Sequence, residues 1–320
     1  MSSTILLFDE AGMRAVEPGE ASTLLKTGTG LLWVDVSGPE TVDVELMAKG
    51  FGFHPLAIED TRNQRQRPKI EEYDDHLFII LNPVSRDDEG IAFRELDLFL
   101  GDRYVVTVHQ DGEPVVAEVL ARLQRNNHTP PTAGFLAYLL MDTTVDGYFP
   151  VLDDAIEAID AMEDSLVAGP VRLQLEDVFR TKRSLLDMQR VVASQRDMFT
   201  LITRHEMQYL PGEQMEYYLR DVLDHVLRIN DQVGMAREMV ASVVELYLTA
   251  TSNQLNRVVN RLTVFTIMIG VMAVVTGFYG MNFEQTWPPH DAEWGIPASI
   301  AIMALVSVAL LWLMRRLRWW

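Results

Sequence analysis

Residues 262–283 read LTVFTIMIGVMAVVTGFYGMNF, and residues 296–314 read IPASIAIMALVSVALLWLM. Neither run contains a charged side chain. An α-helix rises about 1.5 Å per residue and the hydrocarbon core of a bilayer is about 30 Å thick, so some 20 apolar residues suffice to cross it. Both runs qualify, and their tandem placement predicts a transmembrane hairpin with spans 262–282 and 296–314. Arg257 and Arg261 precede the first span, while Arg315, Arg316 and Arg318 follow the second. Basic residues stay on the cytoplasmic side, which puts the hairpin in the cell membrane with both chain ends in the cytoplasm and turns loop 283–295 outward. That loop carries Glu284, Asp291 and Glu293 and no Lys or Arg, and Trp287, Trp294, Trp312, Trp319 and Trp320 stand where interfacial aromatics belong. Residues 1–25 show no basic stretch followed by an apolar run, so no signal peptide is expected there.

The rest of the chain has a different character. Of 320 residues, 27 are Lys or Arg and 46 are Asp or Glu, giving −19, and residues 262–320 sum to zero, so residues 1–261 carry all of it. So acidic a surface argues against nucleic acid and for cationic partners. With no cysteine, any metal must be held by oxygen or imidazole.

Residues 1–130 alternate short strand-like and helix-like runs. Strands are expected at Ile5–Phe8, Leu31–Val36, Leu77–Leu81, Phe93–Leu100 and Tyr104–Val108, the last two as a hairpin about Gly101-Asp102. Helices are expected at Glu40–Lys49, Pro55–Asp60 and Glu113–Gln124, giving a mixed α/β unit. From Ala133 the strand signal ends, so residues 131–261 read as a helical region with a long stalk. In Leu152–Leu166 the residues Asp153, Glu157, Asp160 and Asp164 share one helical face, a solvated surface or one that attracts cations.

Leu219, Val222, Val226, Ile229, Val233, Ala236, Val240, Val243 and Tyr247 follow at alternating spacings of three and four, a heptad seam. No proline interrupts the chain from Gly212 to Trp287, so a helix of about 70 residues, roughly 100 Å, is expected. Such a rod cannot bury its seam by itself, so self-association is expected, with packing against helices of the same chain as the alternative. Its register, carried into the first span, is expected to continue through Asn256, Val259, Thr263, Thr266, Gly270, Ala273 and Gly277. Such small and hydroxyl-bearing residues suit either close helix packing or a water-filled axis.

The span ends in Tyr279-Gly280-Met281-Asn282, followed by Phe283-Glu284. Here the chain resembles the CorA family of divalent-cation channels, marked by a Gly-Met-Asn tripeptide between two carboxy-terminal membrane helices. The resemblance extends to Pro55–Asp60, Gln66–Leu77, Tyr217–Asp224 and Leu262-Thr263. It implies a homopentamer in the bilayer, with the long helices lining a pore. By the same resemblance Gly280, Met281 and Asn282 form the selectivity loop, whose asparagine ring receives hydrated Mg²⁺. Amide oxygens can hydrogen-bond the waters of an ion that sheds them reluctantly. The pore contacts carried over are Asn256, Val259, Leu262, Thr263, Gly270 and Asn282. Where the family commonly has bulky residues and a proline, this chain has Val259, Gly270 and Val271, so a hydrophobic constriction would rest on Leu262 and Val259. Regulatory Mg²⁺ sites between subunits are implied for Asp221, paired with an acid of the loop Asp87-Asp88-Glu89.

The resemblance thus implies passive, potential-driven uptake of Mg²⁺, with Co²⁺ or Ni²⁺ as further cargo. A ZntB-like transporter of Zn²⁺ is the nearest alternative, and a membrane-anchored sensor without transport is another. No G-x-S-x-G, H-E-x-x-H or phosphate-binding loop occurs, and His54, Glu59, Asp60 and His76 make no catalytic motif, so an enzyme is not expected. Glu59 and Asp60 are expected to pair locally with Arg62.

Overall fold

The computed structural model describes residues 2–27, 30–38, 50–87, 90–110, 112–126, 132–168, 174–281, 287–289 and 293–316. These residues fall into two compact units, one of residues 1–164 and 174–243, the other of residues 165–173 and 244–320.

The first unit is built on a seven-stranded sheet. Its strands are β1 (Ser2–Asp9), β2 (Gly12–Ala15), β3 (Leu31–Ser37), β4 (Lys69–Glu72), β5 (Leu77–Leu81), β8 (Leu96–Leu100) and β9 (Tyr104–His109), ordered β2-β1-β3-β9-β8-β5-β4. Only β3 and β9 pair in parallel, Leu32 opposite Tyr104; the hairpin β8–β9 is antiparallel, as expected. Strands β6 (Val84–Asp87) and β7 (Gly90–Phe93) form a separate hairpin. The central strands are apolar on both faces because both faces are covered, which is why Leu77–Leu81 reads as an unbroken hydrophobic run. On one face Phe78, Ile80, Phe99, Val106 and Val108 pack with Phe53, Ala57 and Ile58, the last two on helix α2 (Pro55–Asn63). Phe53 stacks on Phe99 with ring centroids 4.1 Å apart.

Helices α1 (Pro18–Thr27), α3 (Pro114–Asn126), α4 (Ala133–Asp146), α5 (Tyr148–Ala168) and α6 (Leu175–Arg204) complete this part of the chain. Helix α4 packs on β8 and β9, and α6 on β4 and β7. Thr132 caps α4, its hydroxyl accepting from Phe135 N at 3.1 Å, so the strand signal stops where a side-chain cap starts a helix.

Four expectations change. The run Phe93–Leu100 is two strands in two sheets, parted at Arg94-Glu95. There Arg94 N donates to Pro83 O and the Glu95 carboxylate turns to accept from Gln66 N at 2.5 Å, so the chain leaves one ladder for another. Asp60, expected to pair within its own helix, takes Lys69 as a partner at 2.6 Å, because β4 brings the lysine against α2. The heptad seam is not left for a second copy: Leu219 through Val243 are buried in the chain itself. They belong to helix α7 (Glu213–Tyr279, 67 residues), flanked by α4 through Tyr138 and Tyr218, stacked at 4.7 Å, by α5 through Phe149 and Arg228, and by α6 through Gln189 and Arg237. The fourth change concerns register. Counted on from Val243, the seam reaches Tyr247, Gln254 and Val264, which is buried, and not Asn256. Two residues of offset turn a helix by about 200°, so Asn256 stands on nearly the opposite face. The expected helix Glu40–Lys49 lies outside the described residues.

In the second unit, α7 runs to Tyr279 and helix α8 spans Gly295–Arg316; both are long and apolar enough to cross a membrane. Their apolar side chains face outward, Leu262 at 65%, Leu305 at 71% and Val308 at 65% exposure. Water would penalise such surface by about 25 cal/mol per Å², so lipid or another protein surface must cover it.

Candidate functional site

The 3–4 stripe Asn256, Val259, Thr263, Thr266, Gly270, Ala273 and Gly277 is exposed in the second unit except for Thr263, which is half-exposed. Thr263 Oγ donates to Val259 O and Thr266 Oγ to Leu262 O, each at 2.9 Å. With each hydroxyl hydrogen committed to the helix, the oxygen presents its remaining lone pair outward as an acceptor. A Cβ built on Gly270 or on Gly277 meets nothing within 4 Å. Packing among the described residues therefore does not demand these glycines. Leu262 is flanked by the stripe and, like Val259, exposed.

Counted back along the sequence in the same register, the stripe meets Ser252, Thr249, Glu245, Ser242, Glu238, Met235, Asp231, Arg228, Asp224 and Asp221, all exposed. Five of these ten are carboxylates and one is basic, a distribution the seam-centred reading of the sequence missed. The missed signal was the two-residue offset from the buried face.

Helix α7 stops at Gly280, whose N–H still reaches Thr276 O at 2.9 Å, while Met281 N donates to Phe278 O. Tyr279 Oη donates to Trp287 O at 2.8 Å, tying the helix end to the loop beyond. Met281 and Glu293 are exposed. Asn282, Glu284 and Asp291 lie outside the described residues.

A second constellation lies in the first unit. Asp221 and His225, one turn apart on α7, meet Asp142 of α4, with one potential ligand atom of each within 4.8 Å of the others. Asp142 is 6% exposed. Burial raises its carboxyl, Asp146 adds to the rise, and the Arg122 hydrogen bond at 3.2 Å works against both. His225 Nδ1 lies 3.0 Å from Asp146 Oδ1, leaving Nε2 as its other ring nitrogen. Two carboxylates and an imidazole suit a divalent cation of hard or borderline character. Sequence reading singled out Asp221 but neither Asp142 nor His225; an (i, i+4) Asp–His pair was the available sign. Asp87 closes β6, and Asp88 and Glu89 lie outside the described residues.

His54 and His76 serve the fold. His54 Nδ1 accepts from Leu56 N as the cap of α2, and its ring stacks on Tyr73 at 4.4 Å. His76, fully buried, lies against Phe53, Tyr73 and Phe99.

The family model described as CorA-like Mg²⁺ transporter protein matches residues 28–316. The chain belongs to the CorA family. The protein YfjQ of Bacillus subtilis is 30% identical over 280 residues, 87% of this chain and 86% of that one. The cobalt/magnesium transport protein CorA of Thermotoga maritima is 28% identical over 292 residues, 90% of this chain and 83% of that one. Among solved structures, the CorA magnesium transporter of Methanocaldococcus jannaschii superposes with a TM-score of 0.84 over 99% of this chain and 98% of that one, at 18% identity. As in that CorA fold, an α/β unit precedes a long helix and two carboxy-terminal apolar helices.

Proposed function

We propose that this CorA-family chain assembles as a membrane-embedded homopentamer conducting divalent cations, Mg²⁺ first, down their electrochemical gradient. The observation carrying this reading is the stripe from Asn256 to Gly277: outward-facing, uncharged, rich in oxygen acceptors and small residues, and without a steric reason for its glycines inside the chain. Five such stripes around an axis give a wet lumen that neither blocks a hydrated ion nor binds it tightly. Asn282 closes the outer mouth as a ring of amides holding Mg²⁺ through its waters, and Leu262 with Val259 forms an apolar gate. The carboxylates at positions 224, 231, 238 and 245 line the inner mouth and draw cations along it. A potential of 100 mV supplies about 4.6 kcal/mol for two charges, so no nucleotide site is required.

The group Asp142, Asp221 and His225, joined by an acid of the loop Asp87-Asp88-Glu89 from a neighbouring copy, senses Mg²⁺ and holds the inner unit closed when the ion is abundant. With no cysteine in the chain and no histidine in the stripe, a thiolate or imidazole path for Zn²⁺ has no support. The test is flux into liposomes bearing the purified chain, comparing Mg²⁺, Co²⁺, Ni²⁺ and Zn²⁺ with and without a proton gradient. Potential-driven Mg²⁺ entry is expected. Entry of Zn²⁺ alone, or strict dependence on the proton gradient, overturns the reading.

A further inference from the structure

Glu95 and Asp97 occupy one face at the start of β8, 7% and 2% exposed. Asp97 pairs across the ladder with Ile80 and Val108, so its carboxyl enters the apolar layer beneath α2. Asn82 follows and Glu95 precedes the Leu81–Leu96 pair that ends this ladder. One oxygen of each carboxyl, Glu95 Oε1 and Asp97 Oδ1, is buried with no hydrogen-bond donor. Among the described residues neither carboxyl forms an ion pair. Asp60 of α2 adds a third carboxylate nearby, and the lysine of β4, Lys69, is spent on Asp60 at 2.6 Å and Glu71 at 2.7 Å. Arg65 and Arg67 of the loop are exposed, and Arg94 donates to Gly112 O at 2.7 Å. From β9 the facing residue is the apolar Val108, and Thr61 of α2 is the neutral neighbour of Asp97.

The other Glu95 oxygen holds the segment joining α2 to β4. Oε2 accepts from Gln66 N at 2.5 Å, beside Gln64 and Arg65, two non-glycine residues at φ of 37° and 75°. Backbone in that left-handed region persists only where something fastens it. Asn82 Nδ2 adds a bond to Gln66 O at 3.2 Å, while Asn82 O accepts from Tyr148 Oη at 2.5 Å and Gln195 Nε2 of α6 donates to Tyr148 Oη at 3.2 Å. The loop is thus joined by buried polar groups to α6.

We propose that Glu95 and Asp97 bind one proton between them, and that this proton latches the Gln64–Arg67 loop. Two carboxylates so close and so deeply buried cannot both ionise without a large cost, whereas a shared proton gives each unpaired oxygen its partner. Burial raises both carboxyls, most of all Asp97, in the same direction as the geometry. As pH rises from the ordinary carboxylate range toward the raised midpoint of the pair, the latched state loses stability relative to the open loop, which binds fewer protons. Above that midpoint the slope vanishes.

The test uses the full-length chain in lipid nanodiscs. Hydrogen exchange of amides 64–67, corrected for intrinsic chemistry, should report an opening constant rising about tenfold per pH unit within that window. Asp97→Asn and Glu95→Gln should each abolish the slope. The wild-type-minus-variant infrared spectrum should contain a protonated-carboxyl stretch that titrates above the ordinary carboxylate range. Opening that does not vary with pH in the wild type overturns the latch, and a difference spectrum without that band in both variants overturns the shared proton. Retention of the slope in both variants overturns the assignment to this pair.

Discussion

Asp142 on α4 and Asp221 on α7 bring carboxylate oxygens within 4.8 Å of one another inside a single chain, with His225 completing the group. Such like charges repel unless a cation, a proton or a neighbouring base intervenes, and Arg122 addresses only Asp142. If Mg²⁺ is the compensating ion, it must bridge α4 to α7 and stiffen the helical layer. Asp142→Asn and Asp221→Ala are each expected to raise the Mg²⁺ concentration that protects the first unit from protease by about tenfold or more. An unchanged midpoint in both variants discards the regulatory assignment.

On the proposed function, ion recognition at the outer mouth rests on Asn282. Asn282→Ala removes the amide oxygens that on this reading hold the ion's waters. Mg²⁺ uptake in liposomes should fall to background with the oligomer intact by size-exclusion chromatography. Undiminished uptake removes the loop from the mechanism.

Two features that matter most were legible in the sequence for different reasons. The apolar runs show themselves because composition alone decides them, and the buried seam because its period of 3.5 leaves a plain trace. What covers the seam did not follow, since a heptad specifies a buried face but not whose helix buries it; helices of the same chain flank it, touching α7 beside the seam through Tyr138, Phe149 and Gln189. The polar stripe was found residue by residue yet assigned to the wrong face, because uncharged small residues carry no periodic contrast of their own between Thr249 and Asn260. Asp142 escaped notice for another reason: α4 is apolar almost all round, and a lone carboxyl within it acquires meaning only once α7 lies alongside. Strand β8 likewise could not be separated from β7 by composition, as the break at Glu95 depends on a hydrogen bond to a loop 29 residues away in sequence.

Gly270 separates packing from conduction. A Cβ there meets no neighbouring side chain within 4 Å, so the position is open and Gly270→Leu is expected to leave the fold of one copy undisturbed. Placed on the stripe, it would add five leucines to the lumen and make a second dewetting ring. Flux is expected to drop roughly tenfold or more while thermal stability of the detergent-purified chain stays level. Equal flux would show that this face of α7 meets lipid rather than the ion path.

His109 gives the first unit a dependence on pH whose sign is fixed by geometry. Its Nε2 lies 3.0 Å from Asp35 Oδ1 and its Nδ1 2.7 Å from the Gln110 carbonyl, so both ring nitrogens face acceptors and only the imidazolium satisfies both. Burial pulls the imidazole down, but the Asp35 and Gln110 hydrogen bonds outweigh it and hold it above the ordinary value of 6.5. A folded state that keeps this proton longer than the unfolded chain has its full stabilisation below about pH 6.5 and loses it as pH climbs to the raised value, with a limiting slope of about 1.4 kcal/mol per pH unit. Melting temperatures measured from about pH 6 to 9 should therefore decline in the wild type and flatten in His109→Gln, which can still donate to Asp35. Parallel curves for the two proteins would mean that His109 is neutral in the folded chain, its single N–H serving either Asp35, which also accepts from the Thr107 hydroxyl at 2.6 Å, or the Gln110 carbonyl.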